Sequence, residues 1–165
     1  MPTLRLMHAD DLPEIMDIQL KIYSDALQES PETVAQRFAQ VPDLALVAED
    51  KQGICGYLIS YRSQRGTITA LDGLFAEPEH SDCLYLHDLG IAPRALKRGI
   101  GQSLVKHKFN MARKLGLRHC SLVSVQDSAS FWQRLGFKKQ KPNHPQHIAA
   151  LASYGVPAVY MQKTL

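Results

Sequence analysis

Apolar and polar residues along this chain repeat with two periods, about 2 and about 3.6, and the switches between them outline a sheet threaded with helices. Thr3 to Met7 alternates as a short strand. Asp10-Asp11 opens a helix with Pro13 in its first turn and apolar Leu12, Ile15, Met16, Ile18 and Leu20. A second helix starts at Ser30-Pro31, serine as N-cap and proline at the first helical position. Leu44 to Glu49 and Ile54 to Arg62 read as a hairpin across Asp50-Lys51-Gln52-Gly53. Between Gln64 and Asp82 the pattern is weakest, with a short strand suggested near Ile68 to Leu74. Leu84 to Ile91 is a central strand, and the helix after it turns Ile100, Leu104, Met111 and Leu115 inward before Gly116 stops it. A strand (Arg118 to Val125), a short helix (Ser128 to Leu135) and a strand from Phe137 follow. Lys141 to His147 reads as a loop, and Ala158 to Gln162 closes the sheet. The order β-α-α-β-β-β-α-β-α-β-β predicts an α/β (α+β) chain: one mixed, mostly antiparallel sheet of six to seven strands with helices on both faces.

At 165 residues, 45% hydrophobic and 21% charged, the chain suits one domain spanning 1–165 with a sizeable core. Apolar runs are of strand length, so no membrane span is expected, and the N-terminus turns acidic by Asp10 with no signal-peptide core. Cys55, Cys83 and Cys120 are odd in number, scattered and without a CxxC pair, which fits buried thiols in a cytoplasmic protein. His144 and His147 have metal-like spacing, but no Cys, Asp or Glu accompanies them, so no metal is expected. His107 and His119 are read as surface residues.

Charge is sorted along the chain. Before Pro93 there are 6 Lys/Arg against 15 Asp/Glu; after it, 13 Lys/Arg against one acid, Asp127. The net +3 therefore hides halves of −9 and +12. The basic half opens with a strand, Pro93, the turn Lys97-Arg98-Gly99-Ile100-Gly101, and a helix. That sequence of elements makes an anion cradle, because first-turn N–H groups and the helix dipole bind phosphate without a dedicated side chain.

In this order, Leu84 to Phe137 resembles the GNAT superfamily of acyl-CoA-dependent N-acetyltransferases. Gly99-Ile100-Gly101 matches the glycine pair of that family's Arg/Gln-x-x-Gly-x-Gly/Ala loop, with Pro93 and a strand upstream. Phe131-Trp132-Gln133-Arg134-Leu135-Gly136-Phe137 is similar to its aromatic-x-x-x-Gly-Phe helix end. Two positions depart: Leu96 stands where Arg or Gln is usual, and Trp132 where a tyrosine is often proposed to protonate the leaving thiolate. An indole N–H donates a hydrogen bond but is no acid near neutral pH.

The resemblance implies acetyl-CoA as co-substrate, without a metal, and a primary amine on a small molecule or peptide as acceptor. The CoA diphosphate would lie on the amides of Arg98, Gly99, Ile100, Gly101, Gln102 and Ser103, with Lys97 and Arg98 adding charge. Leu89, Gly90 and Ile91 would pair with the pantetheine arm, Gly90 at a bulge or close approach, and the Leu89 N–H would polarise the acetyl carbonyl. Phe131 and Trp132 would wall the thiol end. The amine must lose a proton, since its pKa near ~10 keeps it charged at neutral pH. His87 and Asp88, read as pointing to opposite strand faces, are the alternatives for the base; Tyr154, Tyr160 or Ser130 for the acid, unless the thiolate leaves unaided.

The first two helices, implied as one acceptor wall, carry Asp10, Asp11, Glu14, Asp17, Asp25, Glu29 and Glu32. They suggest a cationic acceptor, with Tyr23, Asp25, Glu29 and Tyr57 as substrate-side candidates. Homodimers occur on such folds, though no exposed apolar stripe marks an interface. Three readings compete: an acyl-CoA-binding sensor without catalysis, a nucleic-acid-binding module using the basic half, and a dinucleotide-binding oxidoreductase. The basic helix has only Phe109 interleaved, against nucleic acid. Leu104 stands where a third glycine would be needed, against a dinucleotide.

Overall fold

The computed structural model describes residues 1–165. Its elements are β1 (Thr3–Leu6), α1 (Leu12–Ile22), α2 (Pro31–Gln40), β2 (Ala45–Asp50), β3 (Gly53–Ser63), β4 (Cys83–Ile91), α3 (Ile100–Lys114), β5 (His119–Val125), α4 (Ala129–Arg134), β6 (Lys138–Lys139), α5 (Pro145–Ala152) and β7 (Ala158–Thr164). The strands form one seven-stranded sheet in the order β1-β2-β3-β4-β5-β7-β6. Every neighbouring pair is antiparallel except β4 and β5. No helix is long and apolar enough to cross a membrane.

Local chemistry explains most boundaries. Ser30 caps α2 by accepting the Thr33 N–H at 3.1 Å, with Pro31 behind it. Gly116, at φ +75°, ends α3 with paired bonds, Gly116 N–H to the Arg113 carbonyl and Leu117 N–H to that of Ala112. The inward stripe of α3 differs from expectation: it runs through Ile100, Leu104, Val105, Lys108, Phe109 and Ala112. Met111 is only half-buried and Leu115 is exposed. A lysine thus occupies the core row between Leu104 and Ala112, its ammonium donating to the Leu44 carbonyl.

Three expectations give way. Ile68 to Leu74 forms no strand, because its backbone is held by side chains instead of a ladder. Ile68 N–H donates to His147 Nδ1, Leu71 N–H to Ser153 Oγ and Asp72 N–H to Glu29 Oε2, while the Gly73 carbonyl accepts from Arg37 Nε. The loop read at Lys141 to His147 ends early, since α5 starts at Pro145 with His144 Nδ1 accepting the Gln146 N–H. Finally, β7 does not close the sheet; it lies between β5 and the two-residue edge strand β6.

Two irregularities around β4 position the site. β4 pairs with β5 only at Cys83–Tyr85 against His119–Ser121, so beyond Tyr85 the two strands part. On its other side β4 pairs with β3 as Asp88 with Ile59 and then Leu86 with Ser60, leaving His87 as an extra residue. This is a β-bulge, and it resets the in/out alternation of the strand.

Candidate active site

The parting of β4 and β5 opens a cleft of about 890 Å³. One end is the turn into α3. Lys97 (φ +61°) and the N-cap Gly99 (φ +75°) both adopt left-handed backbone there. Gly99 offers no capping side chain, and a helix's first N–H groups have no internal partner, so the start of α3 faces the cleft with open donors. Gly101 is approached by Phe131 Cζ, 3.4 Å from where a Cβ would stand. Lys97, Gly99, Ile100, Gly101 and Gln102 line the cleft, as do Leu89, Ile91, Phe131 and Trp132.

Gly90, Arg98 and Ser103 do not. Arg98 donates to Asp50 Oδ2 at 2.9 Å, beside Arg94, which donates to Asp50 Oδ1 at 3.0 Å. Bonds from Arg94, then Gln52 and Arg98, hold the Asp50 carboxyl well below the usual carboxylate range. Ser103 is turned back onto the Gly99 carbonyl. Gly90 is covered by the Tyr57 ring, which occupies the space a side chain would need. The bulge lies at His87, three residues before this glycine, so Gly90 provides close approach for a tyrosine.

His87 and Asp88 share a face. Asp88 is paired with Ile59, on the side of Tyr57 and Tyr61, while His87 stacks on Tyr85, which is paired with Tyr61. The bulge therefore replaces the opposite-face expectation. Asp88, 7% exposed, accepts from Tyr23 at 2.7 Å and from Tyr57 at 2.9 Å. Burial pushes its carboxyl up, and the bond from Tyr23 chief among the opposing contacts pulls it back only in part. The Tyr23 hydroxyl also lies 3.3 Å from the Leu89 carbonyl, so that peptide edge faces the cleft instead of β3.

Beside Asp88 is a buried ion pair. Arg37 Nη1 and Nη2 donate to Glu29 Oε1 and Oε2, both at 2.6 Å. Burial works to raise the Glu29 carboxyl, but contact with His87 and the Arg37 fork hold it well below its ordinary range. Arg37 Nη1 is 2.7 Å from His87 Nε2. The same nitrogen lies 3.1 Å from Glu29 Oε1, so Nε2 is held between the Arg37 fork and the carboxylate, while Nδ1 is buried without a partner.

The remaining candidates divide. Tyr154 lines the cleft, but its hydroxyl donates to the Thr69 carbonyl at 3.1 Å and burial raises its pKa. Tyr160 lies elsewhere, accepting from Gly66 N–H and Gln162 Nε2. Ser130 and Asp25 are exposed and outside the cleft. Tyr57 is fully buried beneath Gly90, whereas Tyr23 and Glu29 are on the cleft wall. The acidic wall expected of α1 and α2 is absent: Asp11 pairs with Arg5, Glu14 accepts the Ile54 N–H, and only Glu29 and Asp88 among all acids line the cleft. Arg37 and Gln126 escaped the sequence reading. Arg37 had a signal, since it shares the buried helical row with Thr33 and Val34.

A cleft between parting strands, with a glycine-capped helix start at one end, matches a known family. The sequence model of the acetyltransferase (GNAT) family matches residues 12–137. This chain belongs to that family. Among solved structures, GNAT relatives superpose over nearly the whole chain. The loading GNATL domain of CurA from Lyngbya majuscula does so with a TM-score of 0.79 at 17% identity, covering 99% of this chain and 98% of that one. N-acetylglutamate synthase from Neisseria gonorrhoeae, complexed with coenzyme A and N-acetyl-glutamate, gives 0.76 at 16% identity, covering 100% of this chain but 35% of that larger one. The PaiA N-acetyltransferase from Thermoplasma acidophilum, in complex with coenzyme A, gives 0.69 at 17% identity, covering 100% and 99%. Likeness at these identities is likeness of fold. A sequence search of the curated proteins finds no match.

Proposed function

We propose that residues 1–165 act as one domain that transfers an acetyl group from acetyl-CoA to a primary amine within a ternary complex. The observation that carries this is the cleft itself: unpaired β4 edge, open α3 amides and a doubly hydrogen-bonded acid converge on one 890 Å³ space. The diphosphate rests on the amides from Gly99 to Gln102, with Lys97 at the rim. The pantetheine arm runs along Leu89 and Ile91, and Phe131 and Trp132 enclose its thiol end.

Asp88 is the base. Its carboxyl is pushed up by burial, which makes it a better proton acceptor than an ordinary aspartate, and Tyr23 and Tyr57 fix its orientation. His87 serves instead to orient the buried ion pair, because its Nε2 is held between Arg37 Nη1 and Glu29 Oε1. Asp88 removes a proton from the ammonium, and the freed nitrogen attacks the thioester carbon. The carbonyl oxygen becomes an oxyanion facing the Leu89 N–H. Collapse breaks the C–S bond, giving the amide and CoA thiolate, while the nitrogen loses its second proton to water, Asp88 already holding the first. The Tyr154 proton is committed to Thr69, so the thiolate leaves without an enzyme acid and is protonated by solvent.

The acceptor end is formed by Tyr23, Leu27, Leu71 and Tyr154, with Asp88 as its one acid outside an ion pair. This favours an amine on a compact apolar or aromatic body among the cationic acceptors suggested by helix charge. A thiol-release assay with acetyl-CoA across aryl-alkylamines, amino acids, peptide N-termini and polyamines tests the reading. Turnover is expected with the first class, and Asp88→Asn is expected to lose it while retaining CoA binding. Thiol release from no acceptor would overturn the enzyme reading in favour of a sensor.

A further inference from the structure

One residue on the cleft wall has no part in the chemistry above. Gln126 follows the last residue of β5, lines the mouth of the cleft, and reaches across to the end of α1. Its Nε2 donates to the Ile22 carbonyl at 3.1 Å, and its Oε1 accepts the Ser24 N–H at 3.3 Å. These groups flank Tyr23, where the chain leaves the helix in an extended conformation (φ −102°, ψ 141°). The carbonyls of a helix's last turn lack helical partners, and the Gln126 amide supplies one. It pairs on either side of Tyr23 as a parallel strand's peptide would. Gln28 Nε2 adds a bond to the Tyr23 carbonyl at 3.1 Å, and the far end of Tyr23 reaches Asp88.

The backbone under Gln126 is strained. Gln126 and Asp127 have φ of +52° and +56°, so two successive non-glycine residues are left-handed, a conformation unfavourable for residues with a Cβ. Such geometry persists only where its surroundings hold it, here through Ser128, whose hydroxyl donates to the Val125 carbonyl at 2.7 Å.

We propose that Gln126 is a positioning residue: by bracketing Tyr23 it keeps that hydroxyl on Asp88, tying the β5–α4 wall of the acyl-CoA cleft to the base. The inference rests on the reading of Asp88 as base. The titratable or charged groups around Asp88 are Tyr23 just after α1, Tyr57 from β3, Glu29 ahead of α2, His87 beside it on β4, and beyond these Arg37 and Tyr154. Tyr23 donates to the carboxylate and so favours it. Removing the Tyr23 hydroxyl, or freeing Tyr23 by removing Gln126, raises the Asp88 pKa by the same route.

Carboxyl 13C NMR titration of Asp88 in the full-length chain, assigned with Asp88→Asn, tests this without acyl-CoA or acceptor. Tyr23→Phe and Gln126→Leu should each move the Asp88 midpoint upward, and the double variant should match Tyr23→Phe alone. An unmoved midpoint in either single variant, or additive shifts in the double, would overturn the proposal. Should Gln126→Leu fail to fold, Gln126→Met keeps the unbranched length and adds no charge while losing both bonds to Ile22 and Ser24. It should shift Asp88 upward by less than Tyr23→Phe, and a wild-type midpoint would again overturn the idea. With an acceptor in hand, the acid limb of kcat should move up in Gln126→Leu while KM for acetyl-CoA stays unchanged. A shifted titration in a chain without turnover would remove the enzyme reading and leave this one standing. Asp88-dependent turnover with an unshifted titration would do the reverse.

Discussion

Replacing Lys108 by methionine should stabilise the protein, and by an amount that depends on pH. Lys108 is 0% exposed in the core face of α3, and burial lowers its pKa from 10.5 to about 7. That displacement of about 3.5 pH units corresponds to about 5 kcal/mol at about 1.4 kcal/mol per unit, an upper bound on the cost of holding the ammonium in the core. A lowered folded-state value means that the unfolded chain binds the proton more tightly between about pH 7 and 10.5. Stability from this group is therefore present above 10.5 and lost as pH falls through 7. Methionine fills similar space without a charge, and the Leu44 carbonyl keeps its bond from the Ser60 hydroxyl at 3.0 Å. Urea unfolding of both proteins at pH 6, 7, 8 and 9 isolates the effect, because every other titrating group cancels in the difference. Lys108→Met should exceed wild type by several kcal/mol at pH 6, with the gap narrowing steadily toward pH 9. A gap that is constant with pH, or a methionine variant less stable at pH 6, would refute a buried lysine with a lowered pKa.

Gly90→Ala forces a methyl group into the Tyr57 ring and should cost about 1–3 kcal/mol in chemical denaturation while loosening the Tyr57 bond to Asp88; a neutral variant would mean the ring is free to move. Arg37→Met leaves Glu29 buried without its fork and should cost about 3–5 kcal/mol, of which Glu29→Gln in the same chain recovers part. The Glu29 carboxyl is held low, so its contribution to stability is present above its unfolded value and lost as pH falls through the folded one. Glu29→Gln should flatten the acid limb of the unfolding curve, and an unchanged limb would count against the pair.

The sheet and its helices were legible where local signals mark them: β2 and β3 as continuous apolar runs joined by a polar turn and buried on both faces, α2 by its serine cap and proline. The glycine turn at 99–101 was equally plain, because its chemistry is local. Legibility failed where long-range contacts decide the conformation. Ile68 to Leu74 has strand-like composition, yet Arg37, Glu29, His147 and Ser153 take its backbone groups, and nothing local announces them. The bulge at His87 is equally silent in sequence, since an extra residue in β4 shows only against the register of β3. Without it, strict alternation separates His87 from Asp88 and hides the cluster they form with Glu29, Arg37, Tyr23 and Tyr57. Charge misled for a related reason: the acids of α1 count equally in a sum, but Asp11 and Glu14 are spent on Arg5 and the Ile54 amide.

Calorimetric titration of CoA into the wild-type chain and Gly101→Val bears most directly on the central claim. A valine at this first-turn position would stand between Phe131 and Ile91, inside the space assigned to the pantetheine arm and next to the amides assigned to the diphosphate. One CoA per chain should bind the wild type, and the variant should lose that affinity at an unchanged melting temperature. Absence of binding to the wild type, or equal binding to the folded variant, would contradict the cleft as an acyl-CoA site.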